Sequence, residues 1–345
     1  MLTDEQLDSF ERNGALVVPG VVDAETLAAV RRAYAARVDD IVARCVRLGM
    51  MDAPAARAGF GEKITALLCA APQCYQHLDI SLPMLGDLAA ETAEWRRLFG
   101  EEWREQAGFF GDDAVFNLVT HPKITAIVRQ IVGEPAALSP VQHTRIKPPQ
   151  HLLPAAATGD ANVSRTLWHQ DEAVVTEDAK DAPILTMWLA ISDATIENGC
   201  MFAEKGSHKR EGNPAADFGL VRHCPGRELA GEIYIPDGAI RKSDLIPLEA
   251  KAGDAVLLHR RTVHGAGANN SAGVRWSFDL RYQPANTPSG RDCFPSFIIA
   301  GDSPVKSGEE YRQKWRQARD GIISGKIAAV FNKRWNKYAG EGLCA

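Results

Sequence analysis

Up to Gly133 the apolar positions recur mostly three and four residues apart, the period of helices that bury one face. Thr3 followed by Gln6 is a capping-box pattern and Gly14 supplies a stop, so a short helix is predicted over Asp4 to Asn13. Ala15 to Val22 reads as a strand. Asp23 can cap a second helix in which Leu27, Val30, Tyr34, Val38 and Ile41 form one apolar stripe. Trp95 to Trp103 and Ile124 to Val132 carry the same period, the latter closing at Gly133 and Pro135.

After Pro135 short β-branched and aromatic runs are broken at close intervals by Gly, Pro, Asn and Asp. Strands are predicted near Val141–Lys147, Thr166–Asp171, Ile184–Ser192, Glu232–Pro236, Asp254–His259 and Val274–Gln283, with a C-terminal helix inside Glu309–Trp335. Side chains alternate across a strand, so Arg275, Ser277, Asp279 and Arg281 share one face while Trp276, Phe278, Leu280 and Tyr282 share the other. Leu185, Met187, Leu189 and Ile191 likewise oppose Thr186, Trp188, Ala190 and Ser192, and His143, Arg145 and Lys147 lie together. If the apolar faces pack under helices, the polar faces line a barrel interior suited to a charged ligand. A sheet with one face in water gives the same alternation.

No linker or repeat divides the chain, which is expected to be one domain: a mostly helical part with a lid over 1–134, a β core over 135–285 and a C-terminal extension over 286–345. A formal net charge of −5 argues against nucleic acid as partner, since phosphate-backbone binding needs an excess of Lys and Arg. No apolar run is long enough to cross a bilayer, and the opening Met1-Leu2-Thr3-Asp4-Glu5 lacks the basic then apolar order of a secretory signal, so a cytoplasmic location is expected. The seven scattered cysteines read as reduced thiols.

Candidate chemistry centres on His169-Gln170-Asp171. On a strand these two side chains point the same way and can meet one metal ion, the start of a two-histidine, one-carboxylate facial triad for iron(II). The spacing alone is weak evidence, because His77-Leu78-Asp79 repeats it within the helical half. What strengthens the first copy is Gly253-Asp254-Ala255-Val256-Leu257-Leu258-His259, then His264-Gly265-Ala266-Gly267, with Arg275 eleven residues after His264. Arg275 offers a planar fork for a carboxylate. His259 competes as third ligand; the glycines beside His264 leave room for a cosubstrate and favour it.

These pieces, together with Glu197-Asn198-Gly199-Cys200 and Gly206-Ser207-His208-Lys209, resemble the phytanoyl-CoA dioxygenase family of iron(II)/2-oxoglutarate oxygenases, from Leu2 through Arg275 and its strand. The resemblance implies a mainly β fold, a double-stranded β-helix of the jelly-roll, cupin-like type, packed by N-terminal and C-terminal helices. It implies Fe(II), 2-oxoglutarate and O₂ as cofactors, with His169, Asp171 and His264 as metal ligands and Arg275 on the distal carboxylate of 2-oxoglutarate. Lys147 and Trp188 match positions lining the cosubstrate pocket, and Thr186, on the Trp188 face, is grouped with them. By family analogy, the stretch Cys45–Gly111 is expected to supply part of the lid. Two positions depart from the family pattern: Ala266 stands for a common serine and Lys205 for a usual proline.

The implied reaction oxidises a C–H bond of a small organic molecule and releases succinate and CO₂. An intact Asp171 favours oxygen transfer over halogenation. His143, Arg145 and Arg281 are candidates for an anionic group on the substrate, which includes natural-product intermediates and acyl-CoA compounds; Arg281 paired with Asp279 is an equal reading. A metal-binding β-barrel protein or sensor without turnover, and a zinc hydrolase using the same ligands, are the alternatives, and Arg275 weighs against the latter.

Overall fold

The computed structural model describes residues 1–83, 87–155, 162–210, 221, 223–225 and 233–328. The elements in chain order are α1 (Asp4–Asn13), β1 (Ala15–Val18), α2 (Ala24–Arg47), α3 (Phe60–Ala70), α4 (Leu88–Phe99), α5 (Trp103–Gln106), α6 (Asp113–Val119) and α7 (Pro122–Val132), then β2 (Ala136–Leu138), β3 (His143–Lys147), β4 (Thr166–His169), β5 (Leu185–Ala190), β6 (Met201–Glu204), β7 (Cys224–Pro225), β8 (Ile233–Tyr234), β9 (Leu245–Leu248), β10 (Ala255–His259), β11 (His264–Ala266), β12 (Arg275–Pro284) and β13 (Phe297–Ala300), and last α8 (Gly308–Ile323).

Local chemistry sets the helix ends. Thr3 and Gln6 form the capping box of α1, and Gly14 closes it in the left-handed conformation at φ 74°. Asp23 caps α2 through the Thr26 amide, and Leu27, Val30, Tyr34, Val38 and Ile41 are all buried along it. α2 also buries Arg37, whose guanidinium donates to the His77 carbonyl at 3.1 Å and to Gln106 Oε1 at 2.9 Å.

Two antiparallel sheets make the core, a mainly β jelly roll with flanking helices. The larger runs β1-β10-β5-β12-β2-β13, with β3 also paired to β12, and the smaller runs β4-β11-β6-β9. Trp276, Phe278, Leu280 and Tyr282, with Leu185, Met187 and Leu189, join the helices in one hydrophobic cluster. Tyr34 of α2 sits on this face, its ring 4.8 Å from Trp276 and 5.8 Å from Phe278. On the other face Trp188, Ala190, Val256 and Leu258 pack on Met201, Ala203 and Leu248 of the smaller sheet. The segment expected to supply the lid, 45–111, places its buried Ile64, Leu67, Trp95 and Leu98 in the helical cluster.

Several boundaries shift. The first strand ends at Val18 rather than Val22. The run predicted from Val141 begins at His143, and β2 precedes it. Pro140 lies between them and lacks the N–H a ladder needs, so β2 and β3 meet β12 separately, at 282–284 and at 275–279. β4 stops at His169, because the Gln170 amide turns to His223 Nε2 at 3.2 Å and Asp171 opens a 3-10 turn, Asp171–Val174. Of the strand expected over 232–236 only Ile233–Tyr234 forms a strand, paired with β7, while the Ile235 amide donates to the Trp168 carbonyl at 2.6 Å; residue 232 is outside the described residues. The C-terminal helix ends at Ile323, and the predicted continuation from 329 onward also lies outside them. Cys45, Cys69, Cys74, Cys200 and Cys293 are free, but Cys224 is disulfide-bonded, so the all-thiol reading fails there; sequence spacing carries no trace of such a pair. Among the described residues no helix is long and apolar enough to cross a membrane.

Phe278 is fully buried at the middle of β12, between the helices and the sheet. Its replacement by alanine is expected to cost about 3–5 kcal/mol, read as a lowered urea midpoint at unchanged slope.

Candidate active site

His169 closes β4 and His264 opens β11, and the antiparallel register places them directly opposite each other. Their ring centroids are 4.2 Å apart. Nδ1 of His169 meets the Leu167 carbonyl at 2.8 Å and Nδ1 of His264 meets the Thr262 carbonyl at 2.9 Å. A carbonyl only accepts, so each Nδ1 carries the proton and each Nε2 presents its lone pair. Asp171 completes the group: Oδ1 is 3.7 Å from His169 Nε2 and Oδ2 is 3.8 Å from His264 Nε2. One ligand atom from each residue falls within 4.8 Å of the others, a set able to hold a metal ion. His259 is not part of it; its ring lies 5.0 Å from that of His208, and its Nδ1 accepts from the Arg261 amide.

Charge in this space is balanced pair by pair. Asp171 is fully buried, which alone would raise its pKa, but the Arg281 guanidinium, joined by the imidazoles once these are protonated, holds it well below the usual carboxylate range. Burial, reinforced by His169, pushes His264 down to about 4 and keeps it neutral. Arg281 donates from Nη2 to Asp171 Oδ1 and from Nη1 to the Val141 carbonyl at 3.1 Å, and Thr186 Oγ1 donates to Asp171 Oδ2. Arg281 therefore pairs with the carboxylate of the triad, while Asp279 pairs with Arg145 at 2.7 Å.

Arg275 lies six residues along the same strand face, fully buried, and is brought down only to about 10, chiefly by burial and then by Arg145, so it stays cationic. Its Nη1 donates to Ser277 Oγ at 2.9 Å, whereas Nε and Nη2 are buried without a partner among the described residues. Its guanidinium carbon stands 5.4 Å from the centroid of the Trp188 ring. Two unanswered donors of one buried fork call for a carboxylate that no described residue supplies. Arg275, Trp188, Thr166, Arg145, His169 and His264 line one small cavity. Lys147, paired with Arg275 in the ladder, reaches it through Thr166, donating to Oγ1 at 2.8 Å. His143 donates from Nδ1 to Asp79 Oδ2 at 2.9 Å, so the acid of His77-Leu78-Asp79 orients a histidine that the sequence makes a candidate for substrate contact.

A brace escaped the sequence reading. Glu172, directly after Asp171 and buried, takes Arg261 at 2.7 and 3.1 Å and Arg260 at 3.3 Å. Gln170, directly before Asp171, donates to the Arg261 carbonyl at 2.6 Å. The residues flanking one ligand thus grip the segment that leads to His264. The adjacent Arg260-Arg261 pair, four and three residues before that ligand, was the available signal. The glycine-rich motif serves contact too: a Cβ on Gly265 would come within 2.9 Å of the Thr166 carbonyl, and one on Gly199, at φ 81°, within 2.4 Å of the Gly267 carbonyl. Ser207 of the Gly-Ser-His motif accepts from the Val263 amide at 2.8 Å, next to His264.

The family model for phytanoyl-CoA dioxygenase (PhyH) matches residues 10–277. The chain belongs to this family. Phytanoyl-CoA dioxygenase 1 of Oryza sativa subsp. japonica is 26% identical over 290 residues, 81% of this chain and 88% of its own length. Phytanoyl-CoA dioxygenase domain-containing protein 1 of Bos taurus is 25% identical over 317 residues, 82% of this chain and 95% of its own. Among solved structures, EvdO2 from Micromonospora carbonacea var. aurantiaca complexed with 2-oxoglutarate aligns with a TM-score of 0.47 and 18% identity over 88% of this chain and 96% of that one. As a member of the phytanoyl-CoA dioxygenase family the protein is an enzyme, an iron- and 2-oxoglutarate-dependent oxygenase that uses O₂. The donor set and the orphaned fork of Arg275 fit both groups, and the family displaces the hydrolase and sensor alternatives.

His259 carries a pH consequence. Burial, then the neighbouring His208, lowers its pKa from 6.5 to about 4. The unfolded chain therefore binds a proton that the folded chain refuses, and stability present above about pH 6.5 declines as pH falls toward 4. Urea midpoints measured across that window are expected to fall less steeply in His259→Gln than in the wild type.

Proposed function

We propose that His169, Asp171 and His264 hold the iron, and that Arg275 takes the distal carboxylate of 2-oxoglutarate with Trp188 and Lys147 shaping the same pocket. The observation that carries this reading is the buried guanidinium with two unanswered donors beside a triad whose Nε2 atoms face one carboxylate. When bound, iron with 2-oxoglutarate and O₂ supplies oxidation of a substrate C–H bond, with release of succinate and CO₂. The chain's own groups do the positioning. The Leu167 and Thr262 carbonyls fix the imidazole tautomers, Glu172 and Gln170 lock the Asp171 turn to the His264 segment, and Arg275 selects a dicarboxylate of the right length.

The substrate in this reading is a small organic molecule with a polar or anionic group, natural-product intermediates among them. Arg145 supports it, since it stands buried on the Arg275 face of the β3–β12 ladder, with the partly exposed His143 beside it on the same face. The whole chain acts as one oxygenase domain, because helices from 1–134, strands of 135–285 and α8 share a single hydrophobic cluster.

Full-length protein loaded with Fe(II) under anaerobic conditions and then given 2-oxoglutarate and O₂ is expected to form succinate, faster when a metabolite extract supplies substrate. Arg275→Met is expected to raise KM for 2-oxoglutarate roughly 30- to 1,000-fold, corresponding to the ~2–4 kcal/mol lost when one partner of a buried charged pair is removed. Asp171→Ala is expected to abolish succinate formation while leaving the far-UV circular dichroism unchanged. Succinate formation that persists in metal-free protein, or an unchanged KM in Arg275→Met, would contradict the assignment.

A further inference from the structure

We propose that Arg281 and Thr186 are positioning residues of the metal centre, forming a two-donor cradle that fixes the plane of the Asp171 carboxylate. This rests on the reading of His169, Asp171 and His264 as iron ligands. The need for a cradle follows from where Asp171 stands. β4 ends at His169, so the strand pleat that aims the first ligand does not aim the third; Asp171 begins a 3-10 turn, and its side chain must be oriented by something it touches.

What it touches comes from the opposite sheet. Thr186 of β5 and Arg281 of β12 are direct cross-strand partners. Each gives one hydrogen bond to a different carboxylate oxygen, Arg281 to Oδ1 and Thr186 to Oδ2. Arg281 cannot swing away, because its Nη1 is spent on the Val141 carbonyl. All three side chains are almost wholly removed from water: Asp171 is 0%, Thr186 1% and Arg281 3% exposed. A carboxylate oxygen accepts more than one partner, so each keeps capacity on the side of an imidazole, Oδ1 toward His169 and Oδ2 toward His264.

Stability alone does not account for this arrangement. Taking an ion pair fully out of water costs several kcal/mol, and apolar residues of the same volume commonly serve a fold as well. A pair retained at that cost, between two strands on one side and a metal ligand on the other, is explained by what it fixes. The cradle also joins the two sheets through the metal centre, so Arg281 is engaged by the carboxylate ligand and is not the anion receptor for substrate.

The test is metal binding by the full-length apoprotein, read without turnover. Co(II) is titrated anaerobically into wild type, Arg281→Met, Arg281→Lys and Thr186→Val, following heat by calorimetry and the visible absorption of the bound ion. Circular dichroism and Tm of each metal-free variant establish folding. The expected result is a loss of affinity of about tenfold or more in Arg281→Met, with an altered Co(II) spectrum, a smaller loss in Thr186→Val and partial recovery in Arg281→Lys. A folded Arg281→Met that matches wild type in both affinity and spectrum overturns the proposal. Should Arg281→Met not fold, Thr186→Val decides, since it removes a single hydroxyl: unchanged affinity and spectrum overturn the cradle and weakened affinity supports it. Wild-type binding that is absent, or that survives Asp171→Ala, overturns the iron-site reading itself and is thereby distinguished from failure of the cradle.

Discussion

A carboxylate with no access to water must be met by positive charge or hydrogen-bond donors, and around Asp171 this requirement organises the molecule. The acid sits between two sheets, answered by Arg281 and Thr186 from the larger and faced by the imidazoles of the smaller. Neither sheet alone could hold it. The helical half has a supporting part, because α2 and its neighbours cover the apolar face of β12 and so leave the opposite face, with Arg275, Asp279 and Arg281, turned to the interior.

From that constraint the chemistry divides along one strand. β12 carries Arg281 at the carboxylate ligand, Asp279 in an ion pair with Arg145, and Arg275 with donors unanswered. Two of the three charges are neutralised by the protein and the third waits for a ligand. On the proposed reading, that asymmetry separates a cosubstrate clamp from a structural ion pair. Sequence similarity over residues 10–277 says what kind of enzyme this is, and on the reading proposed above the orphaned fork is where its dicarboxylate would go.

Much of this was legible in the chain. The capping box of Thr3 and Gln6, the stripe of α2 and the alternation of β12 are local patterns with one physical solution, and each appears where the residues put it. The pairing of His169 with His264 rather than His259 followed from the glycines, although their work is to let backbones approach, as at Gly265 against the Thr166 carbonyl. Other features depend on what distant segments bring together. Nothing adjacent to Asp171 announces that β4 stops short of it, since that is decided by His223 accepting the Gln170 amide. Glu172 gripping Arg261 and Asp79 orienting His143 are likewise contacts between segments far apart in sequence.

Crystals of the full-length protein soaked anaerobically with Mn(II) as an iron surrogate and with 2-oxoglutarate, and measured by anomalous scattering, address the central claim directly. One strong anomalous peak is expected, bonded to Nε2 of His169, Nε2 of His264 and an oxygen of Asp171, with a dicarboxylate whose far end lies on Nε and Nη2 of Arg275. A peak lacking any one of those three ligands, or a dicarboxylate bound away from Arg275, would contradict that claim.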